Sequence, residues 1–146
     1  MKRIITTLLA LLMALSTAAP VPAQGIEWEV LTQEFASLYK QGLYDRAVIV
    51  AKKALEVAEK AVGPDYPSVA TSLNNLALLY KAQAEYAQAE PLYKRSLAIR
   101  EKALGPDHPD VATSLGNLAA LYKETGRPKE AEALEKRAAA IRAKKR

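Results

Sequence analysis

Leu73, Leu76, Ala77 and Tyr80 stand at i, i+3, i+4 and i+7, the spacing that lines one face of an α-helix. Thr71, Asn75, Leu78 and Ala82 fall on the opposite side, with Asn74 and Lys81 on the flank. This pattern predicts a helix from about Pro67 to Gln83. A second stripe of Ala89, Leu92, Tyr93, Ser96, Leu97 and Ile99 predicts a helix from about Tyr86 to Leu104. Small residues at Ala77 and Ala89 would let the two helix axes approach closely. Upstream, Trp28, Leu31, Phe35, Leu38 and Tyr39 recur at helical spacing and read as core; Gln41-Gly42 breaks that helix. Another helix begins at Tyr44 and buries Ala47, Val50, Ala51, Ala54, Leu55, Ala58 and Val62.

The residues between the helices are punctuation. Gly63 closes one helix, because glycine takes the left-handed conformation found at helix C-termini, and Pro64 forbids continuation. Pro67 presets φ for the first turn of the next helix, and Asp65 is placed to accept from its free amides. Gly105, Pro106, Asp107 and Pro109 repeat the device, and His108, the single histidine, lies inside that turn, where a loop or cap role is expected.

The device recurs because the whole segment recurs. Residues 105–146 repeat residues 63–104 at a fixed offset of 42, with about 24 of the 42 positions identical. A period in that range signals stacked helical repeats. A third, worn copy comes first: Tyr44 and Ala47 align with Tyr86 and Ala89 at the same offset, whereas its first helix aligns at 41, because Tyr39 precedes Tyr44 by one residue fewer than Tyr80 precedes Tyr86. The expected architecture is one all-α domain over residues 24–146, with repeats at about 26–62, 67–104 and 109–146.

These residues resemble the tetratricopeptide repeat in its 42-residue, kinesin-light-chain-like form. Leu73, Leu76, Ala77 and Tyr80 match the first-helix signature, with Leu73 in place of the commoner Trp; Ala89, Tyr93 and Ser96 match the second, with Ser96 in place of Ala. The resemblance covers about Trp28 to Arg142. It implies an α-solenoid of about three antiparallel helix pairs in a right-handed superhelical stack. The last copy departs: Glu135 replaces Tyr93, Ala139 replaces Leu97, and Arg137, Lys144, Lys145 and Arg146 crowd its end, as a polar terminal repeat requires.

Composition narrows the function. There is no Cys, which excludes disulfides, Cys-ligated zinc and iron–sulfur clusters. Lys2 and Arg3, an apolar run from Ile4 to Leu15 and a small-residue exit ending Val21-Pro22-Ala23 form the pattern of a secretory signal peptide over residues 1–23, with a cut before Gln24. The apolar run is shorter than the roughly 20 residues a membrane span needs. An exported protein is expected, periplasmic if the source is Gram-negative and otherwise secreted, with no stable membrane span after cleavage. Without Lys2 and Arg3 the charge falls from +5 to +3. So mild and scattered an excess does not point to nucleic acid.

No catalytic constellation, cofactor motif or metal-site spacing is present, and Ser72 and Ser114 are repeat positions on packed helices. The reading is therefore a non-enzymatic interaction module. By the resemblance, the face opposite the first-helix stripes lines a concave groove that holds a peptide or helical segment of a partner. Its candidate residues are Thr71, Asn74, Asn75 and Leu78 in one copy and Thr113, Asn117 and Ala120 in the next. Lys40, Lys81 and Lys123 are expected at equivalent positions, a cationic edge favouring an acidic segment. For the asparagines, hydrogen bonding between repeats is the competing role. The rival readings are a structural unit that self-assembles as a homo-oligomer or joins an envelope complex, and a basic tail that tethers the chain to an anionic surface.

Overall fold

The computed structural model describes residues 23–144. They form six α-helices and, among the described residues, no strand: α1 (Ala23–Lys40), α2 (Tyr44–Val62), α3 (Pro67–Ala82), α4 (Tyr86–Leu104), α5 (Pro109–Glu124) and α6 (Pro128–Ala143). Consecutive helices pair as α1/α2, α3/α4 and α5/α6, and α2 packs on α3 as α4 does on α5. The segment expected to be a signal peptide, up to Pro22, and Lys145 and Arg146 of the basic tail lie outside the described residues. No described helix is long and apolar enough to cross a membrane.

The turn inside each pair is built from backbone. Gly42, Ala84 and Gly126 all take positive φ, at 72°, 58° and 75°. Their amides donate to the carbonyls of Tyr39, Lys81 and Lys123, and the next amides, of Leu43, Glu85 and Arg127, donate to Leu38, Tyr80 and Tyr122. This corrects the register of the first copy. The offset is 42 there too, because the left-handed residue and its two hydrogen bonds fix the alignment and the tyrosine ring does not. Leu38 takes the place of Tyr80, Tyr39 that of Lys81, and Lys40 that of Ala82. The expected three-lysine ladder therefore has two equivalent members, Lys81 and Lys123.

Ala84 is the one non-glycine residue with positive φ among the described residues. A Cβ in the left-handed region costs about 1–2 kcal/mol. Ala84→Gly is thus expected to stabilise the fold, by about 1 kcal/mol after the added freedom of the unfolded chain is deducted. A thermal melt checks this; an unchanged or lower midpoint would show that the turn is not strained.

Between pairs, Gly63 and Gly105 donate their amides to Glu59 and Glu101, with φ of 86° and 90°. Asp65 does not cap α3, whose N-cap, Tyr66, makes no side-chain bond. Instead Asp65 turns to Lys102 at 3.6 Å, as Asp107 does to Lys144 at 2.8 Å. His108 does cap α5: the Asp110 amide donates to its Nδ1 at 3.1 Å.

The core runs the length of the stack. Ala47, Ala89 and Ala131, equivalent residues on the second helices, are fully buried, as are Ala77 and Ala119 facing them. Leu73, Leu76 and Ala77 are buried as the stripe predicts, and Tyr80 is half-buried. Val69, Ala70, Ser72 and Leu79 are buried as well, because an inner first helix is sandwiched between its own partner and the preceding α2. The matching positions of α1 are Glu27, Trp28, Val30 and Ser37, of which Trp28 is half-buried and the other three are exposed. Val62, expected in the core, is exposed at the last residue of α2, and Val57 is buried in its stead.

Candidate functional site

First helices stand side by side and are tied across the junctions. Trp28 Nε1 of α1 donates to Ser72 Oγ of α3 at 2.8 Å. At the next junction the equivalent serine, Ser114, receives Arg100 Nη1 at 2.7 Å. Two different donors thus serve one repeat position. Glu90 adds a second tie, accepting Arg127 at 2.9 Å, while the Arg127 guanidinium stacks 3.9 Å over the Tyr122 ring. Lys94, then Arg127, hold the Glu90 carboxyl below its usual range.

The candidate groove residues divide by what they touch. Asn117 Nδ2 donates to Asn74 Oδ1 at 2.8 Å, so this pair bonds repeat to repeat. Lys81 pairs with Glu124 of α5 at 3.0 Å, and Lys123 with Glu135 of α6 at 2.5 Å. Both lysines are already neutralised. Thr71 and Thr113 return their hydroxyls to the carbonyls of Pro67 and Pro109. Asn75 and Leu78 are half-buried, and no side-chain hydrogen bond engages Asn75 among the described residues. Ala120 is half-buried in α5, and Lys40 lies exposed at the end of α1.

Where the C-terminal ends of the three first helices meet, an open pocket of about 250 Å³ is lined by Tyr39, Leu78, Lys81, Ala82, Ala84, Tyr86 and Glu124. Tyr39 was legible only as core and Tyr86 only as the start of a helix; the place of Tyr39 here follows from the corrected register. A second cleft, about 310 Å³, lies between Asp45, Val48 and Lys52 of α2 and Tyr80, Gln83, Glu85 and Gln88 of the second repeat. Gln83 crosses it to Asp45 at 3.0 Å. Among the described residues no cluster of three or more His, Asp or Glu could hold a metal ion.

Sequence reading missed Arg100. It is only 8% exposed, and burial holds its guanidinium below the usual value despite the nearby Asp110 charge. The available signal was its recurrence as Arg142 at the repeat offset.

Comparison with known proteins agrees with this geometry. The family model described as tetratricopeptide repeat matches residues 36–102 and 82–144. Nephrocystin-3 of Xenopus laevis is 43% identical, and that of Homo sapiens 44%, over 51 residues, 35% of this chain. The chain spans only 4% of the length of those relatives. Among solved structures, BtubC (BKLC) from P. vanneervenii superposes with a TM-score of 0.73 at 30% identity, over 80% of this chain and 46% of that one. A putative kinesin light chain of Podosopora anserina, with nearly identical repeats, gives 0.73 at 26% identity over 81% and 56%. The domain of Arabidopsis FLU gives 0.72 over 84% of this chain and 99% of its own, at 19% identity, which speaks for the fold alone. With six helices in three pairs, a 42-residue register held by the same turn in every copy, and the family model matched across all three, the chain belongs to the tetratricopeptide repeat family.

Proposed function

We propose that this chain is an exported, non-catalytic module that holds a segment of another polypeptide on the face formed by α1, α3 and α5. The observation that carries the reading is the pocket at Leu78, to which all three first helices contribute. Apolar Leu78 and two tyrosines give it a body for an apolar side chain. Beside it, Asn75 offers donors and an acceptor that no described side chain occupies, which suits a partner's backbone. Tetratricopeptide arrays are commonly protein–protein interaction modules, and the buried serines of the first helices, Ser72 and Ser114, are bound to Trp28 and Arg100, not to a base. Export rests on the charged, apolar and small-residue succession of residues 1–23.

The test is capture from the exported fraction of the native host, with the full chain and with an Asn75→Asp, Leu78→Glu variant first shown to keep its helicity. A partner retained by the wild type and lost by the variant is the expected result. Equal capture by both, or a chain that never reaches the exported fraction, would contradict the reading.

A further inference from the structure

Arg127 shows what the junction of two repeats can hold. Its guanidinium stacks 3.9 Å over the Tyr122 ring, donates to Glu90 at 2.9 Å and forks onto Glu130 at 2.6 and 2.8 Å. Glu90 also takes Lys94 at 2.6 Å. Under this cover Tyr122 is only 6% exposed.

One repeat earlier the same positions read Glu85 for Arg127, Tyr80 for Tyr122, Val48 for Glu90, Lys52 for Lys94 and Gln88 for Glu130. These five residues, with Asp45 and Gln83, line the cleft of about 310 Å³ between α2 and the α3–α4 turn. No arginine of the chain closes it, and Tyr80 is half-buried where Tyr122 is buried. The charge is inverted too: Glu85 puts a carboxylate in place of the guanidinium, and Asp45 adds another where the next repeat has Ala87. Their hydrogen-bond partners are neutral amides, Gln83 for Asp45 at 3.0 Å and Gln88 for Glu85. Among the described residues neither carboxylate has a cation within ion-pairing distance. Lys52 is compatible with a bound guanidinium, since its counterpart Lys94 shares Glu90 with Arg127.

We propose that this cleft receives the guanidinium of an arginine on another polypeptide, stacked on Tyr80 and bound by the Glu85 and Asp45 carboxylates. A planar guanidinium meets both demands at once, because it stacks on an aromatic face and donates in pairs to carboxylates, whereas a lysine ammonium is a compact, strongly hydrated point charge. Arg127 enters its own site as a side chain on a polypeptide. With both carboxylates engaged by the guanidinium, neither is left for the α-ammonium of a free amino acid. The cleft shares no lining residue with the pocket at Leu78, so it is a second contact independent of the groove.

Titration of the isotopically labelled full chain with a capped pentapeptide, one arginine flanked by two glycines on each side, tests this by NMR. Shifts are expected at Asp45, Tyr80, Gln83 and Glu85. The same peptide with lysine in place of arginine is expected to bind about fivefold or more weakly. Tyr80→Leu should weaken the arginine peptide about two- to fivefold, and Asp45→Asn with Glu85→Gln about tenfold. Glu85→Arg supplies the arginine from within the chain. It is expected to abolish peptide binding while melting no lower than the wild type, and it carries the test if the other variants fold poorly. No shift at the four residues, equal affinity for the lysine peptide, or binding that survives Glu85→Arg would overturn the site. Free L-arginine bound more tightly than the peptide would overturn a polypeptide as its occupant. The groove at Leu78 stands or falls separately, by capture with the Asn75→Asp, Leu78→Glu variant.

Discussion

Replacing Tyr93 by alanine is expected to cost the fold about 3–5 kcal/mol, the range for truncating a large buried aromatic. Tyr93 of α4 is 1% exposed and packs with Ala77 and Ala89 of its own repeat and with Leu118, Leu121 and Tyr122 of the next. It fills the junction between the second and third pairs, and α6 offers no equivalent, since Glu135 stands at that position. Burial, followed by the Tyr39 and Glu124 charges, holds the phenol far above its usual pKa. The folded state therefore keeps the proton that the unfolded chain loses above about pH 10. The unfolded state is favoured as pH rises through that region, and this part of the stability is lost. Melts between pH 8 and 11 should show Tyr93→Phe losing less stability with pH than the wild type, and Tyr93→Ala melting far lower at every pH. A drop below about 1 kcal/mol for Tyr93→Ala would mean that the junction closes over the gap.

Leu79→Ala is expected to cost about 2–5 kcal/mol, although Leu79 belongs to no stripe legible at the first reading. It is fully buried with Phe35, Leu38, Ala47, Ala51 and Leu76, where the first pair meets the second. Stability in a stacked array is approximately a sum of repeat and junction terms, so a weakened junction loosens cooperativity as well as lowering stability. Urea unfolding followed by helicity should therefore show a lower midpoint and a shallower transition, with the first pair melting ahead of the rest. A sharp transition with an unchanged midpoint would contradict the junction role.

Leu79 also shows where sequence reading stops. Periodicity finds the face that a helix turns to its own partner, hence Leu73, Leu76, Ala77 and the alanines of the crossing. The second buried face of an inner helix depends on what the previous repeat lays against it, which no single stripe reports. The turns were legible as glycine and proline punctuation, but Ala84 hides a left-handed turn residue under an ordinary side chain, and matching tyrosines then misplaced the first helix by one residue. That slip put Lys40 on a ladder to which Tyr39 structurally belongs. For the candidate groove, the repeat marked out a face, whereas the pairing of Lys81 with Glu124 and of Asn117 with Asn74 joins residues 43 apart, and the burial of Arg100 depends on Thr71 before it and Ser114 after it. Asp65 failed as a cap for a related reason: Lys102, brought alongside by the fold, competes for its carboxylate.

The most direct measurement is photo-crosslinking to the captured partner, with a benzophenone side chain replacing Leu78 on the groove face or Ile49 on α2, which is 70% exposed. If the face formed by α1, α3 and α5 holds the partner, the probe at 78 gives a covalent adduct and the probe at 49 gives none. An adduct at 49 with none at 78 would place binding on the outer face and contradict the groove.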